Sequence, residues 1–163
     1  MGASQLALVA ARPGMGKTGL GLTIAYELAV RQGRSVGVVS LEMSRDELLQ
    51  RLLAIHTGVN SREIDARIRH GDPILIDALG VIATAPLALE DSAMLNSGSL
   101  EQDADIVIFI YREQPSVASG QTAATELHIA KHRNGALGKV PVYLDATTTR
   151  FANHERYRTP ETY

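Results

Sequence analysis

The stretch Ala11-Arg12-Pro13-Gly14-Met15-Gly16-Lys17-Thr18 constrains what this chain can fold into more than any other. It follows the apolar run Leu6–Ala10 and opens a helical pattern from Gly19 to Val30. Strand, glycine loop and helix thus come in the order that a phosphate-binding loop requires. Gly14 and Gly16 let the backbone turn its N–H groups inward, where a Cβ would hold a polyphosphate off the main chain. The following helix adds the partial positive charge of its N-terminus. Lys17 is placed to reach the β/γ-phosphates as a point charge, and the Thr18 hydroxyl to ligate Mg²⁺. Ala11 takes the first glycine position of G-x-x-x-x-G-K-[ST], the one departure from the motif. A glycine-rich turn that binds nothing would not account for Lys-Thr directly at the helix start. A nucleoside triphosphate is therefore expected, with Arg12, Pro13, Gly14, Met15, Gly16, Lys17, Thr18 and Gly19 around it.

At 163 residues the chain fits one domain with a substantial core. Hydrophobic residues make up 45% and charged ones 21%, ordinary for a globular protein. No cysteine is present, which excludes disulfides and thiolate metal sites. The start, Met1–Gln5, has no basic region, so Leu6–Ala11 reads as a buried strand rather than a signal peptide. No apolar run approaches the roughly 20 residues that span a bilayer, and a cytoplasmic location is expected. The net charge of −2 argues against a broadly basic nucleic-acid surface, though a narrow basic strip assembled from several subunits stays open. Aromatics are only 4%, without Trp, so bound nucleic acid would be held by its phosphates rather than by base stacking.

After the loop, Leu20, Ile24, Leu28 and Ala29 recur at helical spacing, and Gln32-Gly33 ends the helix. Ser35–Ser40 reads as a second buried strand, so strand, helix and strand are expected to form one βαβ unit. Ser44 and Glu47 form a capping box before a helix whose apolar face is Leu48, Leu49, Leu52, Leu53 and Ile55. Asn60 or Ser61 is expected to cap a shorter helix through Arg62–His70. Pro73 suits the first turn of another helix reaching about Ala83. Leu87–Leu89 reads as a short strand, and Asp105–Tyr111, apolar from Ile106 to Ile110, as a central one. Gln114–Thr125 is loop-like in composition. Glu126–Lys131 and Lys139–Leu144 alternate around Asn134–Gly138 and predict a hairpin. The fold class expected is α/β: a mostly parallel sheet flanked by helices, with a C-terminal antiparallel hairpin.

In an open α/β sheet, functional groups gather at the carboxyl ends of the strands. Ser40-Leu41-Glu42-Met43 delivers Glu42 there, where a carboxylate can orient or deprotonate the water attacking a γ-phosphate. Glu42 can equally cap the Ser44 helix or pair with Arg45. An aspartate at a strand end, to hold the magnesium's water shell, is harder to place. Ile74-Leu75-Ile76-Asp77 fits the pattern but suits a helix better, and Leu87–Asp91 is short. The five histidines lack metal-ligand spacing; His128 and His132 are four apart in a strand, not a helix. Lys131 and Arg133 point to one side of an extended strand. At a hairpin tip they are either a solvated basic patch or a pair that stabilises charge on a phosphate, as an arginine finger does.

Four segments, in order, resemble the RecA-like C-terminal motor domain of bacterial replicative DNA helicases of the DnaB type. They are Ala11–Thr18, Ser40–Met43, Ser97-Gly98-Ser99-Leu100-Glu101-Gln102-Asp103-Ala104-Asp105 and Lys131-His132-Arg133-Asn134-Gly135. The resemblance covers most of the chain, with residues 1–152 as the motor and 153–163 as a tail. It implies a hexameric ring that hydrolyses ATP with Mg²⁺ at subunit interfaces and moves 5′ to 3′ along single-stranded DNA. Lys17 and Thr18 would then hold nucleotide and metal, and Glu42 would be the catalytic carboxylate. Lys131 and Arg133 would reach a neighbour's site, and Ser97, Gly98 and Ser99 would grip DNA phosphates. A primase and a helicase loader are implied as partners. Leu95-Asn96 replaces the family's Arg-Glu before that Ser-Gly. The family's stretch between the segments resembling Leu87–Ser92 and Ser97–Asp105 has no counterpart here, nor has its N-terminal collar. That stretch holds the strand ending in the magnesium-associated Asp and a later strand with a phosphate-sensing Gln. A join across missing residues is therefore expected near 92–97. A RecA-fold ATPase of another kind, such as a recombinase or clock-type ring, and a catalytically poor nucleotide-dependent assembly module are the competing functions.

Overall fold

The helix signals are realised closely in the computed structural model, which describes residues 5–91, 104–112 and 122–153. Two compact units result, one made of residues 18–91 and 146–150, the other of the remaining described residues.

The first unit is built around helices. The strand β1 (Ala7–Ala10) belongs to the second unit and leads through the loop into α1 (Lys17–Tyr26), which continues as one wider π-turn over Glu27–Arg31. Then come β2 (Val36–Val39), α2 (Arg45–Thr57), α3 (Ile64–Arg69), α4 (Pro73–Thr84) and β3 (Leu87–Glu90). Ser44 is extended at the N-cap of α2, its hydroxyl accepting from the Glu47 N–H while the Glu47 carboxylate accepts from the Ser44 N–H at 2.8 Å. Gly58, left-handed at φ 74°, closes α2 and donates its N–H to the Ala54 carbonyl. Asp72 caps α4, accepting from the Ile74 N–H at 3.0 Å, and Pro73 occupies the first turn, where its missing N–H costs nothing. Leu22, Tyr26, Leu48, Leu52, Leu53, Ile55, Ile64, Leu75 and Ile82 make one buried cluster. Val38, Leu87 and Leu89 from the parallel pair β2–β3 pack against it.

The second unit is a sheet of order β1-β4-β5-β6-β7, with β4 at Ile106–Tyr111, β5 at Thr122–His132, β6 at Gly138–Asp145 and β7 at Arg150–Asn153. β1 runs parallel to β4, with Ala7 opposite Ile106 and Ala10 opposite Phe109. β4–β5 and β5–β6 are antiparallel, with a bulge between Val107 and Ile108. Val107, Ile110, Val142, Leu144 and Phe151 are its buried apolar side chains.

Several expectations need correction. The architecture is α/β with the expected hairpin. The β2–β3 sheet is parallel, but the five-stranded sheet is mixed rather than mostly parallel, because β5 and β6 return by a tight turn and must pair antiparallel. β1 and β2 do not form one βαβ unit: β1 pairs with β4, and β2 with β3 in a sheet of its own. β1 is not a buried strand, since it has one partner in its sheet and Leu6 before it is 39% exposed. β2 is half-buried on one side and exposed on the other, where Val39 lies. Ile24 lies outside the buried face of α1, which is formed by Leu20, Leu22, Ala25 and Tyr26. Thr122–Thr125, expected as loop, begins β5, where cross-strand pairing to Asp145–Val142 overrides a small-residue composition. α3 starts at Ile64, and Asn60 instead tightens the preceding turn by accepting from the Arg62 N–H.

Candidate functional site

The loop after β1 is held open by its two glycines. Gly14 has φ +76° and Gly16 φ +93°, both in the left-handed region, and the Met15 N–H closes the turn on the Arg12 carbonyl at 3.3 Å. A Cβ on Gly14 would meet nothing within 4 Å. A Cβ on Gly16 would meet Phe151 at 3.2 Å and Leu144 at 3.3 Å, the side chains on which the loop rests. Met15 is buried, whereas Arg12, Pro13, Gly14 and Lys17 are exposed. The Lys17 ammonium folds back over the loop and donates to the Ala11 carbonyl at 3.3 Å. Thr18 is the second residue of α1. Gly19, expected as a nucleotide residue, also has a packing reason: its Cβ would lie 2.5 Å from the Thr149 carbonyl oxygen.

Sequence reasoning missed Arg112. It follows β4 as the loop follows β1, and its Nη2 lies 3.5 Å from the Gly14 carbonyl oxygen and 3.6 Å from the Met15 sulfur. The signal was available: in two parallel strands in register, the residues just past both carboxyl ends come together. Lys17 and Arg112 thus put two cations beside the glycine loop, an arrangement suited to a polyphosphate.

The other expected residues fall elsewhere. Glu42 is exposed in the turn after β2, which is fixed by the Met43 N–H donating to the Ser40 hydroxyl at 2.8 Å. The cap of α2 is made by Glu47, not Glu42, and the Arg45 N–H goes to the Asp91 carboxylate at 3.2 Å. Asp91 is therefore engaged at a helix N-terminus. Asp77 lies within α4, lining with His56, Thr57, Pro73 and Ile74 an open cavity of about 450 Å³. Ser97, Gly98 and Ser99, and the join expected at 92–97, lie outside the described residues. His56 meets the Tyr26 hydroxyl at 3.1 Å, and His128 the Glu126 carboxylate at 2.6 Å. Among the described residues no three His, Asp or Glu side chains gather as a metal site.

Lys131 sits in β5 opposite Val107, and Arg133 just beyond the strand end, in the turn. The Arg133 Nη1 pairs with Asp105 Oδ1 at 2.8 Å, and its N–H donates to the Asp105 carbonyl. Asp105 is in turn bonded to Leu6, ahead of β1. The register therefore sets Arg133 beside the start of β1 and the phosphate loop at its end. Five residues of strand at about 3.3 Å each, roughly 16 Å, separate Leu6 from Ala11.

Strand, left-handed glycine loop, lysine and helix in an α/β frame define a P-loop protein. The chain matches the family model of the DnaB-like helicase C terminal domain over residues 1–96 and 90–153, and it belongs to that family. The replicative DNA helicase DnaB of Treponema pallidum (strain Nichols) is 27% identical over 231 residues, covering 91% of this chain and 51% of that protein. The chain thus spans about half the length of that helicase. Among solved structures, that of an ATPase domain is similar with a TM-score of 0.76 and 22% identity, over 91% of this chain and 84% of its own. The structure of a DnaB-like replicative helicase and its interactions with primase gives 0.75 and 23%, over 91% and 57%. Both likenesses show the fold alone, that of a RecA-like ATPase domain. An alignment of 231 positions exceeds the 163 residues present, so at least 68 positions of the Treponema protein face none here. The two stretches of the family match meet at 90–96, where a join is expected.

Proposed function

We propose that this chain is the motor core of a replicative DNA helicase, residues 1–152, which binds ATP and Mg²⁺ and works as a hexameric ring in the cytoplasm. It translocates 5′ to 3′ on single-stranded DNA and unwinds duplex, with a primase and a loader as partners. One observation carries the reading: Arg133 lies at the opposite end of β1 from the loop that its own strand feeds. A separation of roughly 16 Å exceeds the reach of an arginine side chain, which supports a role for this cation at another copy's nucleotide rather than at its own.

The loop suits a triphosphate, because two left-handed glycines shape it and Lys17 and Arg112 flank it. Lys17 would leave the Ala11 carbonyl for the phosphates, and the Thr18 hydroxyl would hold the metal. Mg²⁺, when bound, neutralises charge on the phosphate oxygens. Glu42 orients the attacking water, and Lys131 and Arg133 of a neighbour stabilise charge in the transition state. Ser97, Gly98 and Ser99 hold DNA phosphates. The test is ATP hydrolysis with and without single-stranded DNA, in the wild type and in Lys17→Ala. Stimulation by DNA, with nucleotide binding or turnover abolished in the variant, is expected; unchanged affinity and hydrolysis in Lys17→Ala would refute it.

A second reading is favoured by the 68 or more unmatched positions. Without them the chain is a nucleotide-dependent assembly module that binds ATP and turns it over poorly. Tight binding with no DNA-stimulated hydrolysis would select it.

A further inference from the structure

We infer that Asp105 is a positioning residue for Arg133. The inference rests on the reading of Arg133 as a cation acting on a neighbouring copy's phosphates. Asp105 stands just before β4, and both its carboxylate oxygens are engaged. Oδ2 accepts from the Leu6 N–H at 2.9 Å, and Oδ1 pairs with Arg133 Nη1 at 2.8 Å. The backbone adds a second set of ties: the Asp105 N–H donates to the Leu6 carbonyl at 2.7 Å, and the Arg133 N–H to the Asp105 carbonyl at 2.9 Å. The Asp105 side chain is 15% exposed, and that of Arg133 59%. A largely dry carboxylate, locked to the main chain ahead of β1, thus grips a largely wet guanidinium.

That asymmetry distinguishes the pair from an ordinary surface ion pair, in which two flexible side chains share the ordering cost and gain little. Here one partner is already fixed, so only the arginine is ordered. Asp105 takes one guanidinium nitrogen, and Arg carries five N–H donors, so donors remain for a phosphate. Arg133 borders the turn Asn134-Gly135, where the backbone alone would leave a long side chain many rotamers. A group that stabilises transition-state charge is effective when its orientation is set before the reaction. Asp105 supplies that orientation, referred to β1 and hence to the frame of the sheet.

The experiment compares wild type, Asp105→Asn, Arg133→Ala and the double variant. Asparagine keeps an oxygen for the Leu6 N–H and removes the charge that holds the guanidinium. Nuclear relaxation of the Arg133 Nε–H gives an order parameter independent of turnover. It is expected to be high in the wild type and to fall below about 0.6, the flexible range, in Asp105→Asn. An equal order parameter in both proteins overturns the positioning role. In DNA-stimulated hydrolysis, Asp105→Asn should lower kcat at least tenfold with KM for ATP changed less than twofold, and add nothing in the Arg133→Ala background. Additive losses would show a merely structural carboxylate and overturn the inference. If Arg133→Ala itself leaves turnover intact, the reading of Arg133 fails and the inference with it. If Arg133→Ala is crippled and Asp105→Asn is not, the inference alone fails.

Discussion

Replacing Gly16 by alanine should cost stability through two separable effects, and a comparison with Gly14 isolates them. Both glycines have positive φ, +76° at Gly14 and +93° at Gly16, so an L side chain at either adds backbone strain of roughly 1–2 kcal/mol. The surroundings differ. An added Cβ meets open space at Gly14 but lies 3.2–3.3 Å from Phe151 and Leu144 at Gly16. Both of those side chains are buried and cannot swing away, so overpacking adds about 1–3 kcal/mol. Gly16→Ala is therefore expected to lose about 2–5 kcal/mol and Gly14→Ala about 1–2 kcal/mol. Urea titration monitored by circular dichroism measures the difference, and fluorescence of a labelled ATP analogue reads the cradle. Nucleotide affinity should fall in both, since each residue shapes the loop backbone. A double-mutant cycle with Phe151→Leu should show a favourable coupling of at least about 0.5 kcal/mol with Gly16→Ala. Equal destabilisation of the two variants, or no coupling with Phe151, would refute the contact argument.

Leu52→Ala empties a fully buried position in α2 and should cost about 2–5 kcal/mol, measured by denaturant midpoint. Ser44→Ala removes one half of the capping box and should cost about 1 kcal/mol by the same measurement. Bonds from Ser44 hold the Glu47 carboxyl below its ordinary 4.5, the Arg67 bond holds Asp72 below 3.8, and the His128 bond holds Glu126 below 4.5. A depressed folded value means that the unfolded chain takes up protons first. These contributions are thus complete above about pH 4.5 and are lost as pH falls through the folded values. A thermal midpoint that starts to fall below pH 4.5, with a smaller drop in Ser44→Ala, is the expected record.

Local signals were legible wherever the chemistry was local. The capping box at Ser44, the Asp72-Pro73 helix start and the hairpin around Asn134–Gly138 involve groups a few residues apart, and all three formed. The buried stripe of α1 was misread because that helix is apolar nearly all the way round, so spacing could not tell Ile24 from Leu22. The start of β5 was misread because Thr122–Thr125 is strand only through its pairing with β6.

By itself the sequence determined the glycine loop between β1 and α1, the helix caps and the family, since these depend on residue type and short spacing. Tertiary structure alone decided which strands pair. It set Arg112 against the loop and Asp105 between Leu6 and Arg133, contacts that join positions 97 or more residues apart or cross from one strand to the next. It also placed Arg133 at the far end of β1 from its own loop. Such placements follow from register and strand direction, which a chain acquires only when its sheet closes.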